Sequence, residues 1–257
     1  MSNELSLPEG IRLSVDHGVY CRDDNALAIS DLHLGYEAAL QSEHVAIPRF
    51  QIRQMLERLE RLIKKFTPEL IIINGDMKHE FSRNKSQEWD EVDTVLDAMA
   101  CAEVTVVRGN HDNYLQAILA GRGIRMTDSF SVSEGRIVFL HGHKAQEITS
   151  EFRIFGHEHP MIRLKDEVGA LVQLPCFLYD ESNRFLIMPA FSPLASGTNV
   201  ISPESGFMNP ALRNLDLSDA KVIAIHEGLM NFGRVGDLKE LRDDIHLDKL
   251  KIRNRRM

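Results

Sequence analysis

The chain lacks any long apolar run: nowhere in its 257 residues do consecutive apolar side chains approach the roughly 18–20 that a membrane-spanning helix needs. Its first ten residues, MSNELSLPEG, are polar and carry no hydrophobic segment of the secretory type, so a cytoplasmic protein without a membrane partner is expected. Cysteine is scarce. Cys21, Cys101 and Cys176 are far apart and odd in number, which argues against a disulfide framework or a cysteine-bound zinc knot and reads as reduced thiols. An excess of basic residues is missing too: 30 Lys and Arg stand against 38 Asp and Glu, a net charge of −8. That disfavours a broad, sequence-independent nucleic-acid surface, which needs clustered cations. A bound metal would supply local positive charge that the formal count omits. Internal repeats and low-complexity segments are absent. What is left, 43% hydrophobic and 26% charged residues, is the composition of a globular protein long enough for one large core.

Hydrophobic periodicity orders the chain. Residues 11–20 and 26–30 predict an opening strand pair turned at Asp23-Asp24-Asn25. From Ile52, the positions Met55, Leu56, Leu59, Leu62, Ile63 and Phe66 form one face of an amphipathic helix stopped by Thr67-Pro68. A second helix is expected to turn Trp89, Val92, Leu96 and Met99 inward, and a short third one covers 114–120. After Ile124 the pattern shortens to strands at 124–131, 136–140, 152–156, 161–165, 170–178 and 184–188. Residues 200–220 read as a long connection, 221–225 as a strand with a hairpin partner at 228–235, and 237–257 as a surface helix or frayed tail. The strand–helix–strand order of the first half predicts parallel, right-handed crossovers. Periodicity by itself establishes α/β.

Five short apolar strands each run into Asp, Asn or His. Leu27-Ala28-Ile29-Ser30 leads to Asp31-Leu32-His33, and Leu70-Ile71-Ile72-Ile73 to Asn74-Gly75-Asp76. Val104-Thr105-Val106-Val107 leads to Arg108-Gly109-Asn110-His111-Asp112, residues 136–140 to His141-Gly142-His143, and 153–155 to Gly156-His157-Glu158-His159-Pro160. In open α/β sheets ligands bind beyond the carboxyl ends of the strands, and a strand end holds its loop rigidly. Carboxylate, imidazole and amide donors collected there, with no thiolate, predict a site for hard or borderline divalent cations.

DLH, NGD, GNHD, HGH and GHEH, in this order from about Ala28 to Pro160, resemble the five signature blocks of the calcineurin-like metallophosphoesterases. The longer pattern from Pro175-Cys176-Phe177 through Met188-Pro189-Ala190-Phe191 to Gly197-Thr198-Asn199 resembles one branch, the bacterial ligase-associated phosphoesterases and their archaeal relatives, which is related to DNA-repair nucleases. The resemblance implies a four-layer α/β/β/α sandwich of two mixed β-sheets flanked by helices. It implies one domain over 1–257, with the blocks in 28–160, completing strands in 161–236 and a charged tail at 237–257. It also implies two divalent metal ions, Mn²⁺ first, with Fe or Zn²⁺ as alternatives. Carried over residue by residue, Asp31, His33 and His159 hold one metal, Asp76 bridges, and Asn110, His141 and His157 complete the other. The implied reaction is hydrolysis of a phosphodiester by a metal-activated water. His111, beside Asn110, is expected to act as general acid or to stabilise charge, and Asp112 to accept its second imidazole N–H and set the tautomer. DNA or RNA processing, with helicase or ligase partners from DNA repair, is the leading expectation. A small-molecule phosphatase or cyclic-nucleotide phosphodiesterase is the alternative. A non-catalytic scaffold comes third, because His111 and every ligand are present.

The remaining candidates each carry two readings. Arg108 adds charge near the phosphate or makes a strand-edge salt bridge. His143 shares a face with His141 and is a ligand or a support. Glu158 should point away, towards the surface. Lys78 and His79 line a substrate groove or a solvated loop, and Tyr36 packs over the phosphate or into the core. His17, His44, His226 and His246 lie outside every block and are expected to be bystanders. The basic run 249–256 contacts a phosphate backbone or is a solvated end.

Overall fold

β-Branched and leucine-rich runs bounded by turn residues bury their side chains on both faces when they pair, and this drives the sheets of this chain. The computed structural model describes residues 2–79, 86–165, 170–203 and 206–240. In the amino-terminal half, β1 (Glu4–Ser6), β2 (Ile11–Ser14), β3 (Val19–Cys21), β4 (Ala26–Ile29), β5 (Leu70–Asn74), β6 (Glu103–Val107) and β7 (Arg125–Thr127) form one seven-stranded sheet in that order. The first four are antiparallel neighbours. From β4 to β7 the strands run parallel, with Ile29 opposite Ile73 and Asn74 opposite Val107. The strand expected over 11–20 is two strands, because the chain reverses at Asp16-His17-Gly18, where His17 takes φ 63°.

The crossovers carry α1 (Tyr36–Ser42), α2 (Gln51–Phe66), α3 (Ser86–Ala98) and α4 (Leu115–Gly121). Helix α2 buries Met55, Leu59, Leu62 and Phe66 against Leu27, Ile29, Ile71 and Ile73 of the sheet. Each such side chain contributes about 1.5–3 kcal/mol relative to leaving it in water. Thr67 in the left-handed region ends the helix. Helix α3 packs through Val92, Val95, Leu96 and Met99. The expected inward role of Trp89 is corrected: the packing stripe begins one turn later, and Trp89 is 39% exposed.

The second sheet comprises β8 (Phe130–Val132), β9 (Ile137–Leu140), β10 (Phe152–Phe155), β11 (Met161–Lys165), β12 (Leu171–Asp180), β13 (Phe185–Ile187), β14 (Lys221–Ile225) and β15 (Leu229–Arg234). Its order is β15-β14-β12-β13-β10-β9-β8, with β11 paired to the first half of β12. Strands β9, β10 and β13 are parallel and the other pairs antiparallel, so both sheets are mixed. The single strand expected over 124–131 proves to be β7 and β8, which belong to different sheets. Asp128-Ser129 is the crossing.

The sheets face each other across Ile11, Leu13, Ile72, Phe139, Ile154, Phe177 and Ile223. The outer face of the second sheet is closed by the 200–220 connection, through Val200, Ile201, Leu212 and Leu217, and by Val235 and Leu238 of α5 (Val235–Glu240). These arrangements are the expected two-sheet α/β sandwich. Cys21 and Cys176 are buried and Cys101 is exposed, all three as free thiols. Among the described residues no helix is long and apolar enough to cross a membrane. His246 and the basic run 249–256 lie outside the described residues.

Candidate metal centre

The carboxyl ends of β4, β5, β6, β9 and β10 meet at one edge of the sandwich. Five side chains there sit on left-handed backbone: Asp31 (φ 58°), His33 (48°), Asp76 (48°), His157 (64°) and His159 (44°). Residues other than glycine resist this conformation at roughly 1–3 kcal/mol each, and it persists only where the surroundings enforce it. Here the loops enforce it on one another: the Asp31 N–H donates to the Gly75 carbonyl (3.1 Å) and the His33 N–H to the Asp76 carbonyl (2.9 Å). Two glycines permit the approach. A Cβ on Gly75 would lie 2.1 Å from His141 Nδ1, and one on Gly109 would lie 2.1 Å from Asp76 Oδ1.

The ligand atoms form two groups, Asp31–His33–His159 and Asp76–His141–His157, each within 4.8 Å of one another. In the first, His159 Nε2 is 3.1 Å from Asp31 Oδ1 and 3.3 Å from His33 Nε2. In the second, His141 Nε2 is 3.2 Å from Asp76 Oδ2 and also 3.2 Å from Asn110 Oδ1. Asp76 faces both groups, since its Oδ2 is also 4.0 Å from His33 Nε2. All seven residues expected as ligands are therefore gathered. A third set, His33–His79–His111, adjoins the first and shares His33 with it.

Backbone carbonyls aim the rings. His141 Nδ1 lies 3.1 Å from the Asn74 carbonyl and His159 Nδ1 lies 2.8 Å from that of Ser196. A carbonyl only accepts, so each Nδ1 carries a proton and Nε2 is the nitrogen turned to the site, open to a cation that displaces any proton held there. Burial works against charge on His141, but Asp76 and Asp31 outweigh it and push the imidazole up to about 9. Burial likewise opposes ionisation of Asp31 and Asp76, yet the facing histidines hold both carboxyls below the usual range. His33 falls to about 3 and His157 to about 4, each mainly through burial, so both imidazoles are neutral near pH 7. Against burial, the Asp31 and Asp76 charges push His159 upward as well, so protons stand at His141 and His159 where cations would replace them. Carboxylates, imidazoles and an amide, without thiolate, fit two hard or borderline divalent cations. Two ring nitrogens opposed at 3.3 Å are the arrangement a cation between them satisfies.

Asp112 corrects an expectation. Its carboxylate is buried and accepts the backbone N–H of Gly109 (2.7 Å), Asp76 (3.0 Å), Met77 (2.9 Å) and Lys78 (3.5 Å). It holds the turn on which Asn110 and His111 stand, and the Asp76–Lys78 loop beside it. Burial, then the Asp76 charge, raises its carboxyl to about 6 against those donors. The partner of His111 Nδ1 is instead the His79 carbonyl. His111 Nε2 lies 3.9 Å from Asp76 Oδ2, at the centre of the site.

The other candidates resolve as follows. Glu158 was expected at the surface but is buried, accepting the N–H of Met208 (3.2 Å) and Asn209 (2.9 Å), and so ties the His157–His159 segment to the 200–220 connection. Lys78 is buried, so the solvated-loop reading fails for it. Tyr36 stacks on His79 at 3.9 Å between ring centroids. Arg108 makes the strand-edge pair, 3.7 Å from Asp128. His143 stands 5.3 Å from the His141 ring and outside the metal groups among the described residues. His44 and His226 are exposed, away from the site. His17 is buried with Nδ1 2.7 Å from the Ala190 carbonyl.

Three supporting residues escaped the sequence reading. Gln51 Nε2 reaches the carbonyls of His33 (3.0 Å) and Leu32 (3.2 Å), Glu37 accepts the N–H of Phe50 and Gln51 at the start of α2, and the Ser30 hydroxyl donates to Asp31 (2.6 Å). Gln51 left a signal. It heads the stripe 51, 55, 59, 62, 66, a polar residue on the buried face of its helix.

Two packed mixed sheets with Asp, His and Asn collected from strand ends define a metallophosphoesterase architecture. The calcineurin-like phosphoesterase family matches residues 25–225, and the chain belongs to that family. It is thus a metal-dependent phosphoesterase, of a family that uses a binuclear metal centre. Among solved structures the chain is similar to the nuclease MPE of Pseudomonas putida, with a TM-score of 0.67 and 22% identity over 89% of this chain and 100% of that one. A protein of unknown function from Aquifex aeolicus, AQ665, aligns with a TM-score of 0.36 and 19% identity over 52% of this chain and 78% of that one, too loosely to carry argument. No curated protein sequence matches the chain.

Proposed function

We propose that the protein is a binuclear phosphodiesterase whose substrates include nucleic-acid strands. The observation that carries the binuclear reading is Asp76, whose Oδ2 faces a ring nitrogen from each ligand group, His141 at 3.2 Å and His33 at 4.0 Å. Asp31, His33 and His159 would hold one cation, Asn110, His141 and His157 the other, with Asp76 shared. A bound pair of divalent ions, Mn²⁺ as first choice, supplies a nucleophilic water and the positive charge that a phosphate in displacement needs.

The chain's own residues do the rest. Asp112 and Gln51 keep the loops in place from below. The His79 carbonyl holds His111 Nδ1–H, so that Nε2 faces the centre and, when the ring is the imidazolium, would give its proton to the departing oxygen and leave the neutral imidazole. The nuclease reading draws support from the neighbouring Pseudomonas putida enzyme, while the net charge of −8 favours smaller esters. The deciding experiment is a metal-supplemented comparison of bis(p-nitrophenyl) phosphate, a phosphomonoester, cyclic nucleotides and single- and double-stranded oligonucleotides. Metal-dependent cleavage of diesters including oligonucleotides is expected. Turnover of the monoester alone would replace the proposal with a phosphatase.

A further inference from the structure

Beside the first ligand group lies a cavity of about 290 Å³, walled by His17, Arg58, His159 and Gln173 with Pro160 and Pro175. Its rim is continuous with the metal centre: the Phe191 N–H donates to the Ser30 carbonyl (2.8 Å) and the Ser192 N–H to the Asp31 carbonyl (3.2 Å). Arg58 is half-buried there. One of its N–H groups holds the Phe191 carbonyl at 2.8 Å, and among the described residues it forms no ion pair. The nearby carboxylate, Asp16, is taken by Arg61 at 2.8 Å. A guanidinium has five donors in a planar fork, and one carbonyl leaves most of them for an anion such as phosphate. Burial still disfavours the charge of Arg58, since Asp16 attracts it only from beyond ion-pair distance while Arg61 repels it, and a bound anion relieves that cost. His17, which lines the cavity, donates from Nδ1 to Ala190, which leaves its Nε2 as the ring's hydrogen-bond acceptor. The walls therefore present a cation, a neutral acceptor and an amide over proline rings.

Resting on the phosphodiesterase reading, we infer that this cavity is a nucleotide subsite: it takes the nucleoside next to the scissile phosphate of a single strand, and Arg58 takes that nucleoside's second phosphate. The volume is at the low end of the ~300–1,000 Å³ of small-molecule sites, matching one nucleoside and excluding a duplex. The prolines and alanines bed the base, and Gln173 and His17 address its polar edge. The Arg58 fork supplies charge that the acidic surface otherwise lacks. This gives the enzyme a reason to prefer a nucleotide chain over a bare diester, although the metal centre reads only the phosphate.

The rival reading is that Arg58 merely pins the Phe191 carbonyl. Thymidine 3′- and 5′-p-nitrophenyl phosphates, each with and without a phosphate on the other hydroxyl, separate the two. In the polarity that reacts better, the second phosphate should raise kcat/KM by about tenfold or more, as expected for charge-assisted hydrogen bonds. Arg58→Gln should erase that ratio and Arg58→Lys should keep part of it. Equal losses on both esters in Arg58→Gln, or no ratio in the wild type, would overturn the subsite. A second readout needs no turnover: thymidine 3′,5′-bisphosphate titrated calorimetrically into metal-stripped protein should bind about tenfold more weakly to Arg58→Gln. Arg58-dependent binding without hydrolysis of any ester would refute the phosphodiesterase reading and leave the subsite standing. Absent or Arg58-independent binding overturns the subsite.

Discussion

Asp112 accepts the backbone N–H of Asp76 at 3.0 Å, so the two acids of the site divide the work: one faces the ligand groups and the other holds its loop. Asp112→Asn would turn an –NH₂ towards backbone donors where an oxygen now accepts. Leaving such donors unpaired costs about 1–3 kcal/mol each. The variant should unfold at lower urea concentration and bind metal more weakly. An unchanged midpoint, with loss confined to substrates having poor leaving groups, would return Asp112 to the role of orienting His111.

Asp76→Ala should abolish turnover and remove metal from both groups, because each loses the same carboxylate. Metal analysis of the wild type should find two ions per chain. Cys101→Ala and His226→Ala, at exposed positions, should leave activity within a few-fold. Loss of activity in all three would mean that unfolding, not ligand removal, is being measured.

His111→Ala should keep both metals and lose about 10²–10⁴-fold on diesters with alkoxide leaving groups, the usual loss for a general acid. Nitrophenyl diesters, whose leaving group needs no proton, should suffer much less. Rates and metal content measured together distinguish the outcomes. Departure of a metal from the variant would make His111 a ligand.

His17 predicts a pH effect on stability. Burial, reinforced by the charge of Arg58, lowers its pKa to about 3 from an ordinary 6.5, so the folded protein keeps it neutral. Between those values the unfolded chain binds a proton that the folded one does not. The stabilisation is therefore complete above pH 6.5 and falls as pH drops towards 3, by about 1.4 kcal/mol per unit. Urea unfolding at pH 7 and pH 5 should show a drop about 2 kcal/mol larger in the wild type than in His17→Gln. Identical drops would mean that His17 ionises inside the fold.

The residues gathered in the two Asp/His groups were legible in the sequence because each is covalently adjacent to the strand that delivers it: Asp31 follows Ile29-Ser30, and His141 follows Leu140. Strand ends and their donors travel together along the chain. Partnerships across the fold were not legible. Nothing local to Asp112 distinguishes a carboxylate that reaches its neighbour's ring from one that turns back onto backbone N–H groups. Glu158 sits between two exposed-looking histidines, and its burial depends on where residues 208–209 pass. The division of 124–131 between two sheets escaped for a similar reason, since periodicity reports which side chains are apolar and not which strand they pair with. Gln51 was the exception, readable as a polar side chain on an apolar stripe.

That crossing at Asp128-Ser129 has a mechanical consequence. Every proposed ligand before it, Asp31, His33, Asp76 and Asn110, belongs to the first sheet, and every one after it, His141, His157 and His159, to the second. Neither ligand group can be completed from one side. With cations held as proposed, the centre would act as a rivet through the seam of the sandwich, coupling occupancy to clamping of the halves. At a hundredfold excess over the dissociation constant, each ion adds about 2.7 kcal/mol to the clamped state. Chelation should therefore be felt at the seam, with exchange of buried amides quickening at Phe139 and Ile154, on the strands that lead to His141 and His157. A chain nicked between residues 128 and 129 should rejoin its two pieces more tightly in the presence of the metal.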